Sequence, residues 1–237
     1  MREFQEFIHY ISRPHFFRFK ERWSQKTPVV LAKLLLAKLL LTIVIFVLTA
    51  LVFDVFEVVE LNRKSSLFES LTIKKLLLIS VLVPLFEEFV FRYWLIKSWG
   101  VLYVFPIFLF VAGWVCSRYF LTDFEAVTFG GLLLSLIFYF FVLRRALSNS
   151  SSPIIVVQRV FPFAFWSSVA LFALMHLSNY AEGEMGLWAV LLVLPQLIGG
   201  TFYGYICGRY GFLAAFSCHA VWNASLMILG LVVLQLK

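Results

Sequence analysis

Seven long apolar runs organise the chain, at about 29–53, 76–96, 101–121, 126–143, 160–180, 187–207 and 212–235, and most of the charge falls between them. Most are roughly 20 residues long, the length an α-helix needs to cross the apolar core of a bilayer at about 1.5 Å per residue. Apolar residues follow one another without alternation, which predicts helices rather than the strands of an outer-membrane barrel. The pattern therefore predicts an all-α fold, a polytopic transmembrane helix bundle of about seven spans. Residues 1–28 read differently. Arg2, Arg13, Arg18, Lys20, Arg22 and Lys26 are mixed there with Phe4, Phe7, Ile8, Phe16, Phe17, Phe19 and Trp23. That mixture suits an interfacial segment lying along the membrane surface, and it is too long, charged and aromatic for a secretory leader. The expected division is thus an interfacial segment at 1–28 and a single transmembrane domain at 29–237. Ser148 to Pro153 reads as a short flexible loop, and the internal repeat of inverted-repeat transporters is not found.

Composition sharpens the picture. Apolar residues make up 62% of the chain and charged residues 14%, against roughly a quarter charged in soluble domains; mean hydropathy is +0.93. An ordinary water-soluble fold is excluded. The net charge of +7 comes from basic residues at the ends of apolar runs, where they meet lipid head groups. Membrane lipid is therefore the expected partner and nucleic acid is not. Basic linkers (the amino end, Lys97, Arg144, Arg145, Arg159, Arg209) alternate with acidic ones (Asp123, Glu125, Glu182, Glu184). The positive-inside rule then places the amino terminus in the cytoplasm and the carboxyl terminus outside. In a prokaryote this multi-pass protein would reside in the plasma membrane. Lys33 and Lys38, inside the first run, are expected to snorkel towards one interface. Cys116, Cys207 and Cys218 form no CxxC pair and no disulfide framework.

Three places put costly groups inside apolar runs. The second run reads VPLFEEFVFR from Val83 to Arg92, and each charge costs about 2.5 to 3.5 kcal/mol near a helix centre on insertion scales. Glu88 and Arg92 are four apart, with the acid nearer the amino end, and can pair. Glu87 is turned by about 100° from Glu88 and has no such partner in its own helix. An unpaired carboxylate in that setting is a candidate general acid or base; the alternative is a neutral or ion-paired group that holds helices together. The fifth run ends FALMH at 172–176 and the seventh contains HAVWN at 219–223. At helical spacing Phe172 stacks over His176, and His219 and Asn223 project from one face. A single membrane histidine is more often an interhelical hydrogen bonder than a catalyst, but two of the chain's four histidines coincide here with Glu87.

EEFVFR, FALMH and HAVWN resemble the EExxxR, FxxxH and HxxxN/D signature of the CPBP family, which comprises CAAX-processing proteases and bacteriocin-processing and immunity-associated (Abi-like) membrane proteins. The resemblance covers 76–235, including Gly199, Gly200, Gly204 and the Arg209-Tyr210-Gly211 turn. It implies an intramembrane endopeptidase acting on a hydrophobic or membrane-anchored peptide. By matching positions, Glu87 would polarise the attacking water with help from His176, His219 and Asn223 would stabilise the oxyanion, and Glu88 and Arg92 would support the site. Two departures stand out. Tyr93 follows the motif arginine where glycine is common, and Arg92 and His176 are 84 positions apart where the family connection is short. Residues 101–143 therefore read as an inserted helical hairpin.

Other chemistries find less support. GxSG, GxGD and HExxH are absent from the sequence, and Cys218 is about 100° around the helix from His219, which argues against a Cys–His dyad. A metal-free, cofactor-free reaction is favoured because a hydrogen-bond donor role uses Asn223. The alternative is Zn²⁺ on Glu87, His176 and His219 with Glu88 as base. A proton-coupled transporter or a noncatalytic immunity or scaffold protein also remains open. Depth poses a further question: along the helices Glu87 and His219 lie roughly 10 to 15 Å from the cytoplasmic ends and His176 near 24 Å. Their convergence requires tilt, a broken fifth helix, or an interfacial start to that run.

Overall fold

The computed structural model describes residues 2–17, 21, 23–55, 73–96, 153–179 and 189–235. Every regular element among them is helical. Two helices, Thr27–Phe53 and Phe212–Val232, are long and apolar enough to cross a membrane. The third and fourth apolar runs, and with them the expected hairpin at 101–143, lie outside the described residues, as do Cys116 and the acidic linkers at Asp123, Glu125, Glu182 and Glu184.

Helix α1 (Arg2–Ser12) is amphipathic. Its apolar face does not stay free: Phe7 stacks on Phe202 at 4.1 Å and Tyr10 meets the ring of Tyr205 at 5.3 Å. The guanidinium of Arg209 ties this segment down, bonding Glu6, Glu21 and the hydroxyl of Tyr205. Burial opposes its charge, but Glu21, Tyr205, Tyr210 and Glu6 outweigh that effect and raise its pKa.

Helix α2 (Thr27–Val55) opens with Pro28 in its first turn, where the missing N–H costs no hydrogen bond. Its buried positions, Leu31, Leu34, Lys38 and Thr42, fall on one stripe, while Leu36, Leu40, Ile43, Val44 and Val47 are exposed. Only 11% of its most apolar stretch is buried within the protein, so lipid supplies the remaining apolar surroundings. The stripe overturns one expectation. Lys38 does not snorkel: it is 2% exposed and its Nζ donates to the Tyr203 hydroxyl at 2.6 Å. It sits on the inward face of the helix, where an interface is out of reach and an aromatic pocket is at hand.

The second run is one rod with a change of winding. It comprises α3 (Ile73–Leu77), a π-helical turn at Leu78–Leu82, α4 (Val83–Arg92) and a 3-10 turn at Tyr93–Ile96. The N–H of Val83 bonds the carbonyl of Leu78, five residues back. Pro84 comes next and has no N–H to continue that register.

Helix α5 (Pro153–Met175) begins well before the expected 160, continues through Pro162 and tightens into a 3-10 turn at His176–Asn179. Pro153, read as loop, is its first residue because proline is well suited to a first helical turn. The sixth run is interrupted: α6 (Ala189–Leu192) and α7 (Leu194–Tyr210) meet at Val193, whose φ of −100° and ψ of 4° leave the helical region just before Pro195. Helix α8 (Phe212–Gln235) follows a one-residue turn at Gly211, whose φ of 98° is open to glycine at little cost.

Helix α7 is the axis, packed against α2, α5 and α8, and every residue from Gly199 to Gly208 is buried. Close approach depends on Gly204: a Cβ there would lie 2.7 Å from Cε2 of Phe165 on α5. Small residues serve this purpose between membrane helices. Gly204→Val is expected to destabilise the protein by about 1–3 kcal/mol through overpacking, read as a lowered unfolding temperature in detergent micelles; unchanged stability would show that α5 can move aside.

Candidate active site

Helix α4 ends in a framework that fixes its last turn. The Phe91 carbonyl accepts from Trp94 Nε1 and from Ser168 Oγ on α5, each at 2.7 Å, and the Arg92 carbonyl accepts from Cys207 Sγ on α7 at 3.3 Å. These bonds satisfy carbonyls that a helix end leaves without intrahelical partners. They also set the rotation of the turn that carries Glu87, Glu88 and Arg92.

Glu88 is sealed from solvent and Arg92 nearly so, at 0% and 1% exposure. The expected i, i+4 pair forms: Arg92 Nη1 donates to Glu88 Oε1 at 3.0 Å. The guanidinium carbon lies 3.8 Å from the ring centre of Phe172, so this motif phenylalanine carries a cation–π contact. It meets His176 at a centroid distance of 4.8 Å and 64°, an edge contact rather than the expected stacking. The same Glu88 oxygen also receives Nδ1 of His219 at 2.9 Å. One carboxylate oxygen thus joins α4 to α8.

Both imidazoles are oriented in the same sense. His176 Nδ1 donates to the Phe172 carbonyl at 2.8 Å, and a carbonyl can only accept, so Nδ1 carries the proton. His219 Nδ1 faces the arginine-paired Glu88 carboxylate, which fixes the same tautomer. In each ring Nε2 then points to Glu87, at 3.8 Å from Oε1 for His176 and 3.6 Å from Oε2 for His219. Helix α5 runs unbroken from Pro153 to Met175 and its winding tightens only from His176 on; the three side chains do converge. Tyr203 stacks on His219 at 4.4 Å and 19°, and Phe172 stands edge-on at 6.0 Å.

Asn223 takes a position that spacing did not indicate. Its Nδ2 donates to the Ile79 carbonyl at 3.2 Å. In the π register that carbonyl would bond residue 84, and Pro84 has no N–H to give. The amide of Asn223 therefore repairs the backbone beside the acid pair and has its second hydrogen left over.

Among the described residues no group of three or more His, Cys, Asp or Glu side chains is arranged to hold a metal ion. An open cavity of about 480 Å³ borders α1, lined by residues that include Glu6, His9, His15 and Arg209, and it contains none of the motif residues. Lys38 and Tyr203 are the parts of this environment that the motifs do not announce, and Trp222 fills an unspecified position within HAVWN. A lysine in mid-run was the available signal for the first of them, and the stretch beginning Gly199-Gly200 for the second.

The Rce1-like type II CAAX prenyl endopeptidase family model matches residues 69–225, more than half of the chain and all six candidate residues. No curated protein and no solved structure matches. The chain belongs to the Rce1-like type II CAAX prenyl endopeptidase family, and with its two bilayer-length apolar helices it is an integral membrane protein.

The two carboxylates should differ in what they contribute to stability. Arg92→Met strands the Glu88 charge in a sealed site and is expected to cost about 3–5 kcal/mol. Glu87→Gln removes no hydrogen-bonded ion pair and should change stability by less than about 1 kcal/mol. Thermal unfolding in micelles checks both; equal losses would place Glu87 among the structural groups.

Proposed function

We propose that this chain is an intramembrane endopeptidase in which Glu87 activates water for attack on a peptide bond of a hydrophobic or membrane-anchored peptide. The observation that carries this reading is the meeting of Glu87 with two imidazoles whose Nδ1 atoms are already engaged. With neutral rings, two Nε2 lone pairs and a carboxylate make a cluster of acceptors, which suits a molecule with O–H bonds to donate. A water held there loses a proton to Glu87, aided by His176, as its oxygen bonds to the scissile carbonyl carbon. When the C–N bond breaks, that proton passes to the leaving amine.

The developing oxyanion needs donors. Passing the water's proton on from Glu87 to His219 Nε2, 3.6 Å away, turns that ring into a donor for the oxyanion; the Glu88 carboxylate on its Nδ1 side offsets the charge, and the proton then leaves with the amine. Asn223 offers its second amide hydrogen. Glu88 and Arg92 act on the reaction by holding His219, without touching the substrate. This reading is metal-free; the Zn²⁺ alternative would place Glu87, His176 and His219 around the ion. The family description makes a peptide ending in a prenylated CAAX sequence the first substrate to try, with other hydrophobic peptides next. Membrane lipid is the expected second partner and nucleic acid is not. We place the amino terminus in the cytoplasm and, in a prokaryotic host, the protein in the plasma membrane.

The test is hydrolysis of a fluorescence-quenched farnesyl-CAAX peptide by the purified protein in proteoliposomes, with product masses locating the cut. Glu87→Gln should lower kcat by about 10²–10⁴-fold and Asn223→Ala by about 10²–10³-fold. Activity that survives 1,10-phenanthroline supports the metal-free route, and loss restored by zinc overturns it. If wild type and Glu87→Gln leave the same peptides uncut in native membranes while Glu87→Gln abolishes ion uptake, the protein is a transporter. If neither changes, it is a noncatalytic scaffold.

A further inference from the structure

We infer that Lys38 is a positioning residue for His219, acting through the ring of Tyr203; this inference rests on the protease reading above. Lys38 stands on α2, which carries none of the motif residues and lies outside the matched residues 69–225. Its Nζ donates to the Tyr203 hydroxyl at 2.6 Å and sits 3.3 Å from the ring centre of Trp222 and 4.6 Å from that of Tyr203. The Tyr203 ring in turn covers the face of His219. Lysine, tyrosine and imidazole form a column running from α2 through α7 to α8.

Packing alone does not account for the amine. Burying a polar nitrogen costs free energy in either protonation state, and an unbranched apolar chain such as methionine would fill the same space without that cost. The hydrogen bond goes to a neutral hydroxyl, so no direct ion pair with Tyr203 accounts for the amine. The space has been kept for it: a Cβ at Gly199 would stand 3.3 Å from Lys38 Cε. The ionisable groups that bear on Lys38 electrostatically are Glu88 and Arg92 on α4 and Cys218 on α8. Two basic residues, Lys38 and Arg92, therefore accompany two acidic ones, Glu87 and Glu88.

The consequence for catalysis is geometric. His219 must keep Nε2 towards Glu87 while Nδ1 holds Glu88, and rotation of the ring about its Cβ–Cγ bond would break both. Glu88 fixes one edge and Tyr203 covers a face. Tyr203 is itself a long lever pinned at its hydroxyl by Lys38. Releasing the pin loosens the imidazole by a fraction of an ångström, enough to weaken a near-attack arrangement.

The experiment measures kcat and KM on the farnesyl-CAAX peptide, with thermal unfolding, for Lys38→Met, Tyr203→Phe, the double variant and Glu87→Gln. Lys38→Met should lower kcat about tenfold or more, leave KM within about threefold and leave the unfolding temperature unchanged or raised. Tyr203→Phe keeps the stacked ring but removes the pin, so it should lower kcat alone and add nothing in the Lys38→Met background. Independent, multiplying losses overturn the inference. So does wild-type kcat in Lys38→Met beside an inactive Glu87→Gln, or a kcat loss that only tracks lost folded protein. If Lys38→Met does not fold, Tyr203→Phe decides, wild-type kcat there overturning the inference. Cleavage retained by Glu87→Gln sinks the protease reading and this inference with it.

Discussion

A carboxylate with no solvent exposure holds the site together. Glu88 accepts from Arg92 and from His219 on the same oxygen, so the charge that would be most costly to leave alone in an apolar setting is the one most firmly paired. The guanidinium is in turn covered by Phe172. Removing either partner strands a charge, whereas adding apolar bulk cannot replace the link between α4 and α8. The chemistry assigned to Glu87 is possible because its neighbour carries the structural burden. Adjacent residues of one type have divided the work by their rotation about the helix.

Around that link the packing is set by what α7 lacks. Its small residues let α2, α5 and α8 approach, and Tyr203, flanked by Gly199, Gly200 and Gly204, reaches His219 and Lys38 at once. Backbone repair follows a similar economy: Trp94, Ser168, Cys207 and Asn223 each donate to a carbonyl of the second run. A change in winding within a membrane helix leaves groups that water cannot reach, and here side chains from three other places in the chain satisfy them.

Much of this was legible before any coordinates. Apolar run lengths located α2 and α8 to within a few residues, and the i, i+4 rule supplied the Glu88–Arg92 pair. The coincidence of three costly motifs singled out the residues that do meet. What escaped depends on rotation and on partners distant in sequence. Lys38 was read as an interfacial lysine because a run of leucines does not say which of its faces is inward. Asn223 was grouped with His219 by spacing, while its observed hydrogen bond depends on Pro84 and on a π turn that periodicity does not register. The interruption at Val193 and the tightened turn at His176 are likewise local, and sequence alone left open whether a break, tilt or early start brought His176 to Glu87. The hairpin expected at 101–143 falls outside the described residues and enters none of these arguments.

The π turn at Leu78–Leu82 holds one residue more than an ordinary helical turn would. That surplus residue offsets the phase of the rod before it from the phase after it by about 100°. The exposed side of residues 74–77, marked by Lys74 and Leu77, and the acid-bearing side of Val83–Arg92 are therefore decoupled, and each half can present its own best face. Excising one residue from the turn would restore regular winding yet force the two halves into a common phase, so that either the outer surface or the carboxylates would face the wrong way.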